Sequence, residues 1–272
     1  MTACPAPSPP QERSFGAAHV TLRPGPNGGR LDRRHQRGSA KAFLHPGHDG
    51  PEIVLLNTSG GLTGGDRLSY RLDLAAGCRA TGTTQTAECA YRSTGEPAKV
   101  TAHHRVASGA HLDWLPQETI LFDNSHLARE TTIDLATDAS CLMLETVVLG
   151  RAAMGETVTR TTLRDTRRIT RAGRPVLVEP LYLGTDALTA GPAILNGARA
   201  FATLALVARG AEDAAERIRA ELTEEGVTGG TSGFDGKLVI RLMAGDGWPL
   251  RLQIIRLVRA LRPGPLPRVW QN

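Results

Sequence analysis

Between residues 52 and 183 apolar and polar residues alternate with a period of two, and this limits the possible folds more than any other feature. Side chains of an extended strand point to opposite faces in turn. A sustained period of two therefore means strands with one buried face, not the 3.6-residue stripe of a helix. The segments LSYRLDL, CRATGTTQTAECAYR, AKVTAHHRV, HLDWLP, ETTIDLA, CLMLETVVL and RPVLVEPLYL all read this way. Many are rich in threonine and valine, which suit a pleated sheet. Beneath the alternation lies a repeat. LDLAAGCRATGTTQ (72–85), HRVASGAHLDWLPQ (104–117) and IDLATDASCLMLET (133–146) align without a gap. The offsets are 32 residues from Leu74 to Val106 and 29 from Val106 to Leu135. Each copy has an apolar residue, an alanine, a small or polar pair, a small residue and a second strand. One such unit of about thirty residues buries little alone, so stacked copies are expected, a mainly β, β-helix-like arrangement. A β-sandwich is the alternative.

Helical periodicity comes late. AEDAAERIRAELTEEG (211–226) places Ala211, Ala214, Ala215, Ile218 and Leu222 on one stripe that stops at Gly226. In 248–262, Pro249 suits a first turn and Pro263 a stop, with Leu250, Ile254, Leu257 and Leu261 on one side and Arg256, Arg259 and Arg262 on the other. That stripe suits the end of a β core or the docking of a partner. An apolar content of 40% is enough for a core, and no run of eighteen apolar residues suggests a membrane span. Residues 1–14 carry four prolines and read as a disordered lead-in, with no charged-then-apolar pattern of a secretory signal. A single domain over 15–272 is expected. Four cysteines without C-x-x-C spacing fit a reduced, cytoplasmic protein. The net charge is +5, and RLDRRHQR (30–37) concentrates arginine. Without interleaved aromatics it reads as a solvated basic face more than as a nucleic-acid site.

NTSGGLTGGD (57–66) raises the question of phosphate binding. A P-loop needs Lys and Ser/Thr after its last glycine, and here Asp66 and Arg67 stand there. Strand-like segments lie on both sides, so no helix N-terminus follows. The simpler reading is a turn that needs positive φ. There is no G-x-S-x-G elbow and no H-E-x-x-H, which leaves a hydrolase of unrecognised type as an unsupported alternative. His103 and His104 are neighbours on one strand, point apart, and read as two surface histidines.

Carboxylates carry more information. Glu145 is the one ionisable group in CLMLETVVL, and burying it unpaired would cost several kcal/mol. Glu118 interrupts another apolar run, Asp66 ends the glycine turn, and Glu179 sits in RPVLVEPLYL. Glu156 follows LGRAAMG, where Arg151 offers a counter-charge. Oxygen ligands of this kind suit a transiently held divalent cation, with no spacing for a fixed site. The structural alternative is a set of buried ion pairs.

Five motifs in order, NTSGGLTGGDRL, TTQTAECAYRS, GAHLDWLPQETILF, LETVVLGRAAMGE and RALRPGPLPRVW, resemble the urease accessory protein D family, UreD, also called UreH. The resemblance runs from about Leu44 to the C-terminus. It departs at Glu88-Cys89, where a small polar residue and a lysine are expected. The resemblance implies a β-helix-like stack with two helices and a non-enzymatic role. It also implies accessory protein F and the accessory GTPase G as partners, in a complex that docks on urease apoprotein so that nickel reaches its active site. No tightly bound cofactor is implied, only transient Ni²⁺, and neither nucleic acid nor membrane as a partner.

Overall fold

A computed structural model describes residues 13–271, so most of the proline-rich start lies outside the described residues. Three strands open it: β1 (Phe15–Arg23), β2 (Arg30–Gly38) and β3 (Ala40–His45). The coiled part follows as β4 (Glu52–Asn57), β5 (Arg67–Leu74), β6 (Arg79–Thr84), β7 (Glu88–Ala90) and β8 (Ala98–Val106). It continues through β9 (His111–Trp114), β10 (Thr119–Leu121), β11 (Ser125–Leu135), β12 (Ser140–Leu149) and β13 (Thr161–Arg171). The chain then returns on β14 (Arg174–Leu183) and passes a short helix α1 (Thr185–Thr189). It ends with β15 (Ala200–Val207), α2 (Ala215–Ala220), β16 (Val227–Phe234), β17 (Lys237–Ala244) and α3 (Gly247–Leu261).

Each coil places one strand in each of two sheets. The first sheet runs β14-β13-β11-β8-β5-β1-β2, and the second β16-β17-β15-β12-β9-β6-β4-β3 with β7 and β10 beside it. Successive coils stack in parallel, with Leu74 beside Val106 and Val106 beside Leu135, then Arg79 beside His111 and His111 beside Ser140. The offsets of 32 and 29 residues are thus the lengths of two successive coils. The turn between the strands stays the same because its backbone groups bond to the next coil: Gly77 N to Ser108 O (2.9 Å) and Ala107 N to Leu74 O (3.0 Å). Gly77 and Gly109 stand at equivalent places with φ of 71° and 65°, where a side chain would be strained. Asp138 takes that place in the third copy and accepts hydrogen bonds from Ser108 Oγ and Gly109 N of the coil before.

Two cores result. One lies between the sheets; the other lies between the outer face of the second sheet and α3. β12 serves both, which explains its almost unbroken apolar run. Cys141, Met143 and Val147 point inward, whereas Leu142 and Leu144 meet the helix layer.

Several expectations need correction. The helix expected over 211–226 is a 3₁₀ turn (Ala211–Ala214) followed by α2, which ends at Ala220. Thr223 N and Glu224 N donate instead to Gln253 Oε1 of α3, at 3.0 and 2.9 Å, so a side chain takes the place of further helical turns. The stripe Leu250, Ile254 and Leu257 is fully buried against the second sheet and Leu261 partly so, and it is therefore closed to a docking partner. Arg-rich 30–37 is exposed, as the reading of a solvated basic face expects, and it forms the edge strand β2. His103 and His104 are not both on the surface. His103 faces outward, 2.7 Å from Asp134, while His104 is buried against Trp114. Strands β1, β3, β13 and β15–β17 were not anticipated. No helix of the described residues is long and apolar enough to cross a membrane.

Candidate functional site

The glycine turn is scaffold built from its own backbone needs. Gly60, Gly61 and Gly65 have φ of 78°, 140° and 88°. Leu62 N donates to Cys89 O and Tyr91 N to Leu62 O, which ties the turn to β7. Asp66 is buried and accepts hydrogen bonds from Ser14 N (2.7 Å) and Thr63 N (2.8 Å). Its charge is thus held by backbone amides at the start of β5.

Beneath this turn, two small cavities adjoin. One, about 80 Å³, lies beside Asn57, Gly60, Gly61 and Gln85. The other, about 40 Å³, lies between the sheets against Trp114, Gln117, Arg129, Thr131 and Glu145. Tyr70, Thr84 and Glu88 line both, so these three side chains form the neck. Glu88 is in no ion pair among the described residues; Asn57 Nδ2 donates to it at 3.1 Å. Burial pushes its carboxyl up to about 7, the Asn57 bond works against this, and the charge of Asp66 adds to it.

Glu145 forms the inner wall. Trp114 Nε1 and Thr131 Oγ1 donate to it at 3.1 and 2.7 Å, and Arg129 Nη1 lies 2.8 Å away. Arg129 also grips Asp165, through Nε and Nη2 at 3.0 and 2.6 Å. Asp165 binds Arg167, Arg167 binds Glu179 at 2.9 Å, and Glu179 binds Arg241 at the surface at 2.8 Å. An alternating ladder of six charges therefore runs from the cavity to the edge of the molecule. Burial alone would raise the Asp165 carboxyl, but Arg129 and Arg167 outweigh it and hold it at about 2. The reciprocal effect raises Arg129, where Asp165 and Glu145 overcome the cost of burial.

The five carboxylates singled out in the sequence do not converge. Glu145 faces the cavity, Asp66 serves the turn and Glu179 ends the ladder. Glu118 lies 3.5 Å from Arg251 of α3, on the rim of a separate groove of about 340 Å³. Glu156 closes a loop, accepting from Arg151 Nε (2.8 Å), Arg151 N and Asp123 N. Among the described residues no three His, Cys, Asp or Glu side chains are grouped to hold a metal.

Sequence reasoning missed Arg129, Asp165, Arg167 and Glu88. The signal for three of them was strand parity. Arg129 shares its face with Leu127, Thr131 and Ile133, and Asp165 and Arg167 share theirs with Leu163 and Ile169. A second polar cluster, Ser140–His111–Asp113, resembles a nucleophile triad at 2.7 and 2.9 Å. Asp113 is also bound by Arg262 at 3.0 Å, and the adjoining cavity of about 10 Å³ has space for about one water. This cluster clamps the C-terminal segment onto the second sheet.

The chain matches the family described as UreD urease accessory protein over residues 15–271. Its relatives include proteins named urease accessory protein UreD from three sources. The protein of Cereibacter sphaeroides strain ATCC 17025 is 59% identical and covers 100% of both chains. That of Paracoccus denitrificans strain Pd 1222 is 53% identical, over 96% of this chain and 93% of its own. That of Rhizobium leguminosarum bv. viciae is 43% identical, over 99% of each. A match of this extent, over a β-solenoid-like stack whose coil lengths are already visible in the sequence, shows that the chain belongs to the UreD urease accessory protein family.

Proposed function

We propose that this chain works in the cytoplasm as a non-enzymatic scaffold in urease maturation. It joins accessory protein F and the accessory GTPase G in a complex that docks on urease apoprotein and delivers nickel. Family membership across residues 15–271 is the observation that carries this reading. The glycine turn supports it, since its backbone is engaged with β7 and nucleotide hydrolysis is left to the GTPase partner. The test is co-expression of the urease subunits and the other accessory proteins with and without this chain. Nickel per urease active site should fall to background without it; full loading without it overturns the reading.

Nickel is cargo in this role, and we assign its handling to the cavity between the sheets. Asp66, Glu118, Glu156 and Glu179 lie outside that cavity; Glu145, although held by Arg129, and Glu88 at the neck are the carboxylates that line it. Oxygen ligands hold such an ion weakly enough to release it. Glu145→Gln should leave a complex of normal yield yet lower nickel per active site. Unchanged nickel in such a complex, or loss of soluble complex before any loading defect, assigns Glu145 to the ion ladder alone.

A further inference from the structure

The outward face of the seven-stranded sheet is basic, and part of its charge is answered on the spot. Arg71 and His19 lie 2.9 and 2.8 Å from Asp73, and His103 lies 2.7 Å from Asp134. Three cations stand together at one end of the same face. Arg37 of β2, Arg67 of β5 and Lys99 of β8 are exposed and enter no ion pair among the described residues. Arg67 and Lys99 are direct register partners on adjacent strands, an arrangement of like charges that destabilises a sheet. The carboxylate next in sequence is turned away, because Asp66 is buried on its two backbone amides. Glu130 faces Thr101 from β11 and stands outside the cluster.

These cations line a single shallow groove of about 440 Å³, and among the described residues no carboxylate lines it. Its floor is made of small residues, Gly16, Ala17, Ser69 and Thr101. Gly16 is on the buried face of β1, where a side chain would strike Ser39, Ala40 and Leu68; the outward part of the floor is Ala17, Ser69 and Thr101. Phe15 forms the rim and is 58% exposed. We infer that this groove docks an acidic, extended segment of a partner protein, with carboxylates on Arg37, Arg67 and Lys99 and an apolar side chain against Phe15. Charge complementarity decides the class of partner. Single-stranded nucleic acid would want a row of stacking aromatics, and among the described residues Phe15 is the one aromatic here. The inference does not depend on the role in urease maturation.

The test uses the full chain and a fluorescent peptide of aspartates and glutamates around one leucine, read by anisotropy. Lysine-substituted peptide and a single-stranded oligonucleotide of equal charge serve as competitors. The acidic peptide should bind, and binding should weaken about tenfold in Arg67→Gln/Lys99→Gln and fall with added salt. Arg168→Gln, on β13 at the other side of the face, should leave it unchanged. Arg37→Gln on the edge strand gives an independent variant should the double one fold poorly, and it should also weaken binding. No binding of the acidic peptide, equal binding by the groove variants, or tighter binding of the oligonucleotide with the same residue dependence would each overturn the inference.

Discussion

The two faces of β12 bury side chains to the same degree, but the inner one sets a charge network among its apolar residues. Outward, Leu142 and Leu144 meet Leu250, Ile254 and Leu257 of α3 in an apolar layer, with Gln253 as the buried polar side chain that α3 adds beside it. Inward, Glu145 meets Arg129, Trp114 and Thr131 and begins the ladder to Asp165, Arg167 and Glu179. The outer layer draws its stability from removing carbon from water, which is non-directional and tolerant of detail. The inner one must match every charge, since the desolvation of an ion pair consumes most of its Coulomb gain. Burial on one face therefore supplies cohesion, while on the other it fixes which strands lie side by side and keeps a polar cavity open in the middle of the fold.

Removing one charge should break this contrast hardest. Arg129→Leu leaves Glu145 and Asp165 facing each other without their shared cation, and a loss of about 4 kcal/mol in denaturant unfolding is expected. The outer face should respond less to an equally buried change. Leu257→Ala leaves a cavity under α3 and should cost about 3 kcal/mol, without altering the pH dependence of unfolding. If Arg129→Leu proves milder than Leu257→Ala, the ladder is cheaper to break than its geometry implies.

The smallest effect sharpens the comparison through pH. The folded-state pKa of Glu88, about 7, lies above the ordinary carboxylate value. Its contribution to stability is fully present below the unfolded pKa and is lost as pH rises through about 7. His104 has the opposite sign: burial, with the nearby His103, pushes it down to about 3, so its contribution is lost as pH falls below about 6.5. Glu88→Gln isolates the first term. The difference in stability between Glu88→Gln and the natural protein should grow by about 2 kcal/mol between pH 4.5 and 7.5, allowing for the partly open side chain. A flat difference across that range would mean that the neck between the cavities is open to water.

Much of the coiled part was legible because its physics is local. Leu74, Val106 and Leu135 repeat at the length of a coil, and turn glycines such as Gly77 and Gly109 mark where the chain must reverse. The site was much less so. Glu145 stood out as a lone carboxylate in an apolar strand, but Arg129 and Arg167 looked like ordinary surface arginines in charged strands. In TTLRDTRRITR, Arg167 is buried while its neighbour Arg168 is exposed, and composition does not distinguish them. Stacking brings Glu145 of β12 and Asp165 of β13 to Arg129, while Arg167 meets Asp165 on its own strand and Glu179 across the β13–β14 pair.

The sequence by itself determined the β period, the coil length, the family and the late amphipathic helix, because each depends on side chains a few residues or one repeat apart. The tertiary structure alone decided which charges were answered. It gave Glu145 to Arg129, turned Asp66 onto backbone amides, spent the stripe of α3 on the second sheet, and gathered Arg37, Arg67 and Lys99 in a groove with no carboxylate among the described residues. Ion pairing acts over a few ångströms between strands far apart in the chain, so it follows from register and not from the order of residues.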